Sequence, residues 1–286
     1  MATCVNGTVA FIDLLGFGQH IKEHTDKENM ARVESYAKAV EEATTRVVLP
    51  PEEGGRSEAQ RICLSYAIFS DSIVIYERSR PDKFEEAFTP GEAQWGAFKP
   101  VLKACSRLSF LLLRIGQPFT GCITQGTYYV HYDPQRGGVI VAGKPVLEAV
   151  NWQEKQGWIG IVVRPENLVK QRLDDAFADP QRMGSRDLRM ARHEKWPIMV
   201  ERAYTVPIRE NKCTHTYTEE CHYAVVPTRK DDASPSQLLE SVREARNALL
   251  PMKRDAPKDV QAKYGATLSW YAELESNLGR ANSALP

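Results

Sequence analysis

Residues 8–15 form a β-branched and apolar run interrupted only by Asp13, a pattern that predicts a strand buried on both faces. Gly16, Phe17 and Gly18 break it. The charged stretch 27–48 carries Val33, Tyr36, Ala37 and Val40 at helical spacing, and Pro50, Pro51, Gly54 and Gly55 end it. Two short strands, 61–69 and 72–77, follow so closely on each other that Ser70 and Asp71 must form the hairpin tip. A helix over 92–115 presents Val101, Leu102, Cys105, Leu108, Leu112 and Ile115 on one face, and Gly116 is its natural stop. A strand over 119–125 comes next. Residues 128–142 read as two strands around a turn at 133–138, followed by a helix over 144–155 and a strand over 158–163.

The order βαββαβ with an added hairpin predicts an α+β, ferredoxin-like fold: an antiparallel sheet with helices on one face. Past residue 164 the chain turns polar and rich in Asp and Arg, then predicts a hairpin over 204–226 and two helices after Ser234 and Pro257. These segments are too few for a sheet of their own. The expected division is therefore a catalytic core over 1–164 and, over 165–286, a C-terminal extension packed on it.

At 286 residues the chain can bury a full core without cross-links. Lysine plus arginine balances aspartate plus glutamate at 37 each, so no overall field gathers nucleic acid or an anionic membrane, and an anionic ligand must be held locally. No basic leader with an apolar core and no apolar run of about 20 residues is present, which points to a cytoplasmic protein with neither nucleic-acid nor membrane partner. The six cysteines are scattered through apolar segments and read as reduced, mostly buried thiols. Cys213, His215, Cys221 and His222 are chemically sufficient for zinc, but their spacing matches no common module, and a hairpin would point them to different faces.

Asp13 carries the first chemical signal, because a carboxylate inside an apolar strand is costly unless paired, hydrogen-bonded or metal-bound. Asp71 repeats the pattern at its hairpin tip, flanked by Ile68, Phe69, Ile73 and Val74. In a ferredoxin-like sheet the end of the first strand lies beside that tip, so the two can meet. Two carboxylates can bridge two Mg²⁺ or Mn²⁺ ions, whose preference for carboxylate, phosphate and water oxygens suits a nucleoside triphosphate. The Gly16 and Gly18 loop would let backbone N–H groups approach the phosphates. The plainer alternative is a capping Asp at 13 and a turn Asp at 71.

The stretch from Phe11 to Phe17, then Phe69-Ser70-Asp71-Ser72, then Thr120 to Gly126, resembles the motif order of class III nucleotidyl cyclases over about residues 8–163. The Ser-Asp-Ser hairpin, residues 143–154 and Lys263-Tyr264-Gly265-Ala266-Thr267 are similar to the Pycsar pyrimidine cyclases of bacterial anti-phage defence, which make cyclic UMP or cyclic CMP to activate a separate effector. The resemblance implies a homodimer with sites completed across the subunit boundary. It implies two ions held by Asp13, Leu14 and Asp71, and a nucleotide contacted by Leu14, Leu15, Gly16, Phe17, Tyr66, Ala67 and Ile140.

Purine-using members of that class read the base with polar groups at the positions of Ala67 and Ile140. Two apolar residues cannot make those hydrogen bonds, which points to a pyrimidine, UTP slightly before CTP. Tyr66 either shortens the base pocket or is an ordinary strand aromatic. The class's asparagine and arginine on the following helix fall on Leu147 and Asn151 in one alignment and on Asn151 and Lys155 in another, which makes Asn151 a candidate substrate contact and Lys155 a candidate transition-state cation. Other readings are a purine cyclase, a polymerase-palm or diguanylate-cyclase relative lacking that group's Gly-Gly-Asp/Glu-Glu-Phe hairpin, and a degenerate, non-catalytic nucleotide sensor.

Overall fold

The computed structural model describes residues 2–45, 63–79, 90–133, 135, 138–164, 199–211, 214–229 and 235–283. Strands β1 (Ala2–Leu14), β2 (Cys63–Phe69), β3 (Ser72–Ser79), β4 (Phe119–Asp133), β5 (Gly138–Gly143), β6 (Gly160–Arg164), β7 (Met199–Asn211) and β8 (Thr214–Val225) form one sheet. Its order is β2-β3-β1-β4-β6-β8-β7, with β5 also paired to β4. The antiparallel block β2-β3-β1-β4 is the ferredoxin-like order that the βαββαβ pattern predicts. Beyond it the sheet is mixed, because β6 runs parallel to β4.

Helices α1 (Phe17–Glu23), α2 (Asp26–Thr45), α3 (Pro90–Arg114), α4 (Lys144–Lys155), α5 (Pro235–Asp255) and α6 (Lys258–Ser283) complete the described elements. Ala10, Ile12, Ile73, Ile75 and Ile123 bury one face of the sheet with Tyr36 and Val40 of α2 and Phe98, Val101 and Leu108 of α3. Side-chain alternation places Val9, Ala67, Val74, Tyr76 and Tyr128 on the opposite face, in a second apolar cluster. The expectation of helices on one face therefore needs correcting. Helix α4 lies on the second face, where Thr124 Oγ1 donates to the Pro145 carbonyl and Gln153 donates to Thr120.

Two strands run longer than the apolar pattern suggests. β1 starts at Ala2 because its first residues are half-polar, with Cys4 and Asn6 exposed and Val5 buried; such alternation marks a strand that is covered on one side only. β4 passes through Gly126 as one strand, its first half pairing with β6 and its second with β5. The short helix α1 went unforeseen.

The hairpin of the extension joins this sheet, as Val162 and Val163 pair with Ala224 and Tyr223. Leu238, Val242 and Leu249 of α5 and Tyr264, Trp270 and Leu274 of α6 belong to the same buried cluster as α3. Among the described thiols, Cys105 and Cys122 are buried and Cys4 is exposed. Cys213 lies outside the described residues, as do the side chains of His215, Cys221 and His222, so the zinc reading falls outside the described structure.

Gly143 joins β5 to α4 with φ 154° and ψ 172°, backbone that is essentially reserved for glycine. A Cβ there would stand 2.8 Å from Tyr128 Cα and 2.9 Å from the Thr127 carbonyl oxygen. Gly143→Ala is expected to lower unfolding free energy in denaturant titration by about 2 kcal/mol or more.

Candidate active site

The end of the sheet is built from one row of residues. Asp13 on β1 lies opposite Ser72 on β3 and Thr120 on β4, and Thr120 lies opposite Gly160 on β6. Partners across a strand pair share a face, so the side chains of Asp13, Ser72 and Thr120 all stand on the α4 side. The hairpin tip folds onto this row. Ser70 takes φ 55° to make the tight turn, and the Leu14 N–H donates to the Asp71 carbonyl at 2.7 Å. On the other side the Leu15 N–H donates to the Pro118 carbonyl at 2.9 Å. The chain thus leaves β1 clamped between the two neighbouring strands, with Asp13 and Asp71 at one end of the sheet.

Burial raises the Asp13 pKa from 3.8 to about 6, and the like charge of Asp71 adds to the rise. The Lys263 cation, the Gln153 hydrogen bond and, in the opposite sense, Glu154 act on it less. Gln153 bridges the row, donating to Asp13 Oδ2 at 3.1 Å and to Thr120 Oγ1 at 2.6 Å. A half-buried carboxylate that a second carboxylate pushes toward its neutral form is a place where a cation is favoured. Among the described residues no group of three or more His, Cys, Asp or Glu gathers. The pair accordingly fits hard divalent ions that fill their remaining positions with carbonyl, water and phosphate oxygens, and does not fit a closed zinc site.

Leu14 has its side chain in the core, so only its backbone can face this end of the sheet, and Leu15 packs partly buried against the same core. Gly16, at φ 75°, is the N-terminal cap of α1, and Phe17 begins that helix with its ring buried against Tyr36. Ala67 stands on the Asp13 face. Tyr66 does not. Its partner on β3 is Ile75, which faces α2 and α3, so within one chain the Tyr66 ring points away from the side that carries Asp13.

Ile140 is also remote. It pairs with His131 far along β4, on the order of 35 Å of extended strand from the Thr120 row, and its side chain is 60% exposed. On α4 the inward stripe is Pro145, Ala149 and Gln153, whereas Leu147, Asn151 and Lys155 are exposed. Lys155 and Arg164 flank the Trp152 ring, at 5.7 and 4.0 Å from its centroid. The structure therefore brings together Asp13, Leu14 and Asp71, and does not bring Tyr66, Ile140, Asn151 or Lys155 to them within one protomer.

Sequence reasoning gave no site role to Gln153, Thr120 or Lys263, although all three fall within the stretches that carry the resemblance. The first was accessible as the polar member of an otherwise small and apolar inward stripe; the others became visible only through strand pairing and the docking of α6.

No protein-family model matches the chain, and no curated protein does. Among solved structures, it is similar to the adenylyl cyclase CyaB of Pseudomonas aeruginosa at TM-score 0.46 and 10% identity, covering 81% of this chain and 98% of that one. It is similar to the catalytic core of a rhodopsin-guanylyl cyclase with converted specificity at TM-score 0.43 and 11% identity, covering 79% and 99%. The guanylyl cyclase Cya2 gives TM-score 0.41 and 10% identity over 79% and 94%. At these values the likenesses carry no argument, and the fold assignment rests on the chain's own strand order.

The raised Asp13 pKa has a consequence for stability in metal-free buffer. Below about pH 4 the carboxyl is protonated whether the chain is folded or not; between there and pH 6 the unfolded chain ionises first, so the fold loses stability as pH rises, and above pH 6 the loss is constant. Asp13→Asn is expected to raise Tm at pH 8, with the gap closing toward pH 4. Saturating Mn²⁺ is expected to raise Tm of the parent and not of Asp13→Asn. Thermal melts at both pH values check both statements.

Proposed function

We propose that the protein is a class III nucleotidyl cyclase that converts a pyrimidine nucleoside triphosphate, UTP slightly before CTP, to its 3′,5′-cyclic nucleotide and pyrophosphate. The observation that supports this reading is the convergence of Asp13 and Asp71, from distant parts of the chain, at one end of a ferredoxin-like sheet. Two Mg²⁺ or Mn²⁺ ions held by Asp13, Asp71 and the Leu14 backbone would supply Lewis acidity toward the ribose 3′-hydroxyl and the departing pyrophosphate. In the reaction the 3′ oxygen bonds to the α-phosphorus, the bond to the pyrophosphate oxygen breaks, and the hydroxyl proton passes to solvent water. Within the chain, Asp13 and Asp71 set the position of the reacting groups, and Gln153 holds the Asp13 carboxylate against the sheet. Leu14 to Phe17 would approach the phosphates through backbone as the chain turns into α1.

The active unit in this proposal is a homodimer. Ile140, Leu147, Asn151 and Lys155 point away from their own chain's Asp13, and a C₂ pair would let one copy present them to the other's carboxylates. Ala67 and Ile140 are both apolar, which supports a base read without the polar groups a purine would require. The product would act as a second messenger on a separate cyclic-nucleotide-binding effector in anti-phage defence. We place this chemistry in the cytoplasm; no helix among the described residues is long and apolar enough to cross a membrane.

Incubation with ATP, GTP, CTP and UTP in Mn²⁺, with products identified by mass, is expected to give cyclic UMP or cyclic CMP. Dominant cyclic AMP or cyclic GMP would replace the pyrimidine assignment and keep the cyclase. Asp71→Ala is expected to abolish turnover with the fold retained, and unchanged turnover would overturn the two-metal reading. Mixing inactive Asp13→Ala with inactive Asn151→Ala is expected to restore part of the activity, since one composite site is then whole. A fully active monomer in sedimentation would remove the dimer.

A further inference from the structure

The C-terminal helix α6 is fastened to the same row of the sheet that carries Asp13. Gly160 lies opposite Thr120, which lies opposite Asp13, and Ile159 immediately precedes Gly160. The Ile159 N–H donates to Thr267 Oγ1 at 2.8 Å, and the same hydroxyl lies 2.9 Å from the Lys263 carbonyl, one turn earlier in α6. Trp270, on the following turn, packs edge-on against Trp158 at 5.0 Å between centroids. Tyr264, Thr267 and Trp270 are all buried. Lys263 thus lies one turn before the docked Thr267 on α6, near the sheet end where Asp13 and Asp71 converge. Its ammonium lies within electrostatic reach of the Asp13 carboxylate and counters the upward push on that group.

An ammonium within electrostatic reach of a pair of carboxylates is compatible with those carboxylates alone. It is repelled by divalent ions bound to them, unless an anion arrives with the ions. We propose that Lys263 of α6 is a ligand for the polyphosphate of the nucleotide, so that the C-terminal extension completes the substrate site within its own chain. This deepens the cyclase reading and rests on it for the identity of the nucleotide. It does not depend on which base is used or on whether the reaction is cyclisation.

Loss of the Lys263 charge is expected to have opposite effects on two ligands. Removing the charge relieves repulsion toward the metal and removes a charge-assisted contact to the phosphates. Titration calorimetry on the full chain, with Mn²⁺ alone and with inorganic tripolyphosphate in saturating Mn²⁺, reads both. Lys263→Gln is expected to bind Mn²⁺ alone about threefold more tightly and tripolyphosphate about tenfold more weakly, with the cooperative unfolding transition retained. Lys263→Arg, which keeps the charge, is expected to retain tripolyphosphate binding. Lys258→Gln, which removes an exposed charge at the start of the same helix, is expected to change neither.

Equal weakening of both ligands, no change in either, or the same loss in Lys258→Gln would overturn the proposal. If Lys263→Gln loses stability instead, the Lys263→Arg titration decides. Retained tripolyphosphate binding there supports the contact, and its loss overturns it. Absence of any cyclic nucleotide from the parent, with the tripolyphosphate results as expected, would remove the cyclase reading and leave Lys263 as a polyphosphate ligand.

Discussion

The antiparallel pairing of β1 with β3 sets Asp13 opposite Ser72, and the Leu14 N–H closes it by donating to the Asp71 carbonyl; the rest of the site depends on that closure. Without that strand pairing Asp13 would be a lone carboxylate at a strand end. With it, two acidic groups from distant parts of the chain share one end of the sheet, and their repulsion becomes a fixed property of the fold. The cost is visible in the protonation of Asp13, which is pushed up to about 6 by burial and by its neighbour. Binding sites commonly carry this kind of local penalty, because the ligand that relieves it is then bound more strongly.

Neighbouring elements hold this arrangement from three sides. β4 supplies Thr120 opposite Asp13, α4 supplies Gln153 as a bridge between them, and α6 supplies the Lys263 cation from the far end of the chain. The last of these makes the extension more than a covering. Its helices share the buried cluster of α3, and its hairpin continues the sheet from β6, so displacement of α6 would alter both the core and the charge balance at Asp13.

Much of this was legible in the residues. The βαββ order, the Ser70-Asp71 tip and helix α4 follow from apolar periodicity and tight turn spacing, both local signals. The pairing of Asp13 with Asp71 was readable because a charged residue inside an apolar strand has few inexpensive explanations. What escaped was nonlocal. Tyr66 and Ala67 are adjacent, yet strand alternation sends one toward α2 and the other toward Asp13, and only the register Tyr66 to Ile75 decides which. Asn151 and Gln153 are similarly close on α4, and the face that meets the sheet is set by Thr124 holding Pro145 at the other end of the helix. Lys263 could not be placed without knowing where Thr267 docks.

On the proposed function, Asp13 and Asp71 together hold the ions that act on a nucleotide. Anomalous diffraction from crystals grown with Mn²⁺ and a non-cyclisable UTP analogue measures this directly. Two anomalous peaks about 3.5–4 Å apart beside the Asp13 and Asp71 carboxylates, next to the triphosphate, are the expected result. A nucleotide bound with no metal peak at the Asp13 and Asp71 carboxylates would contradict it.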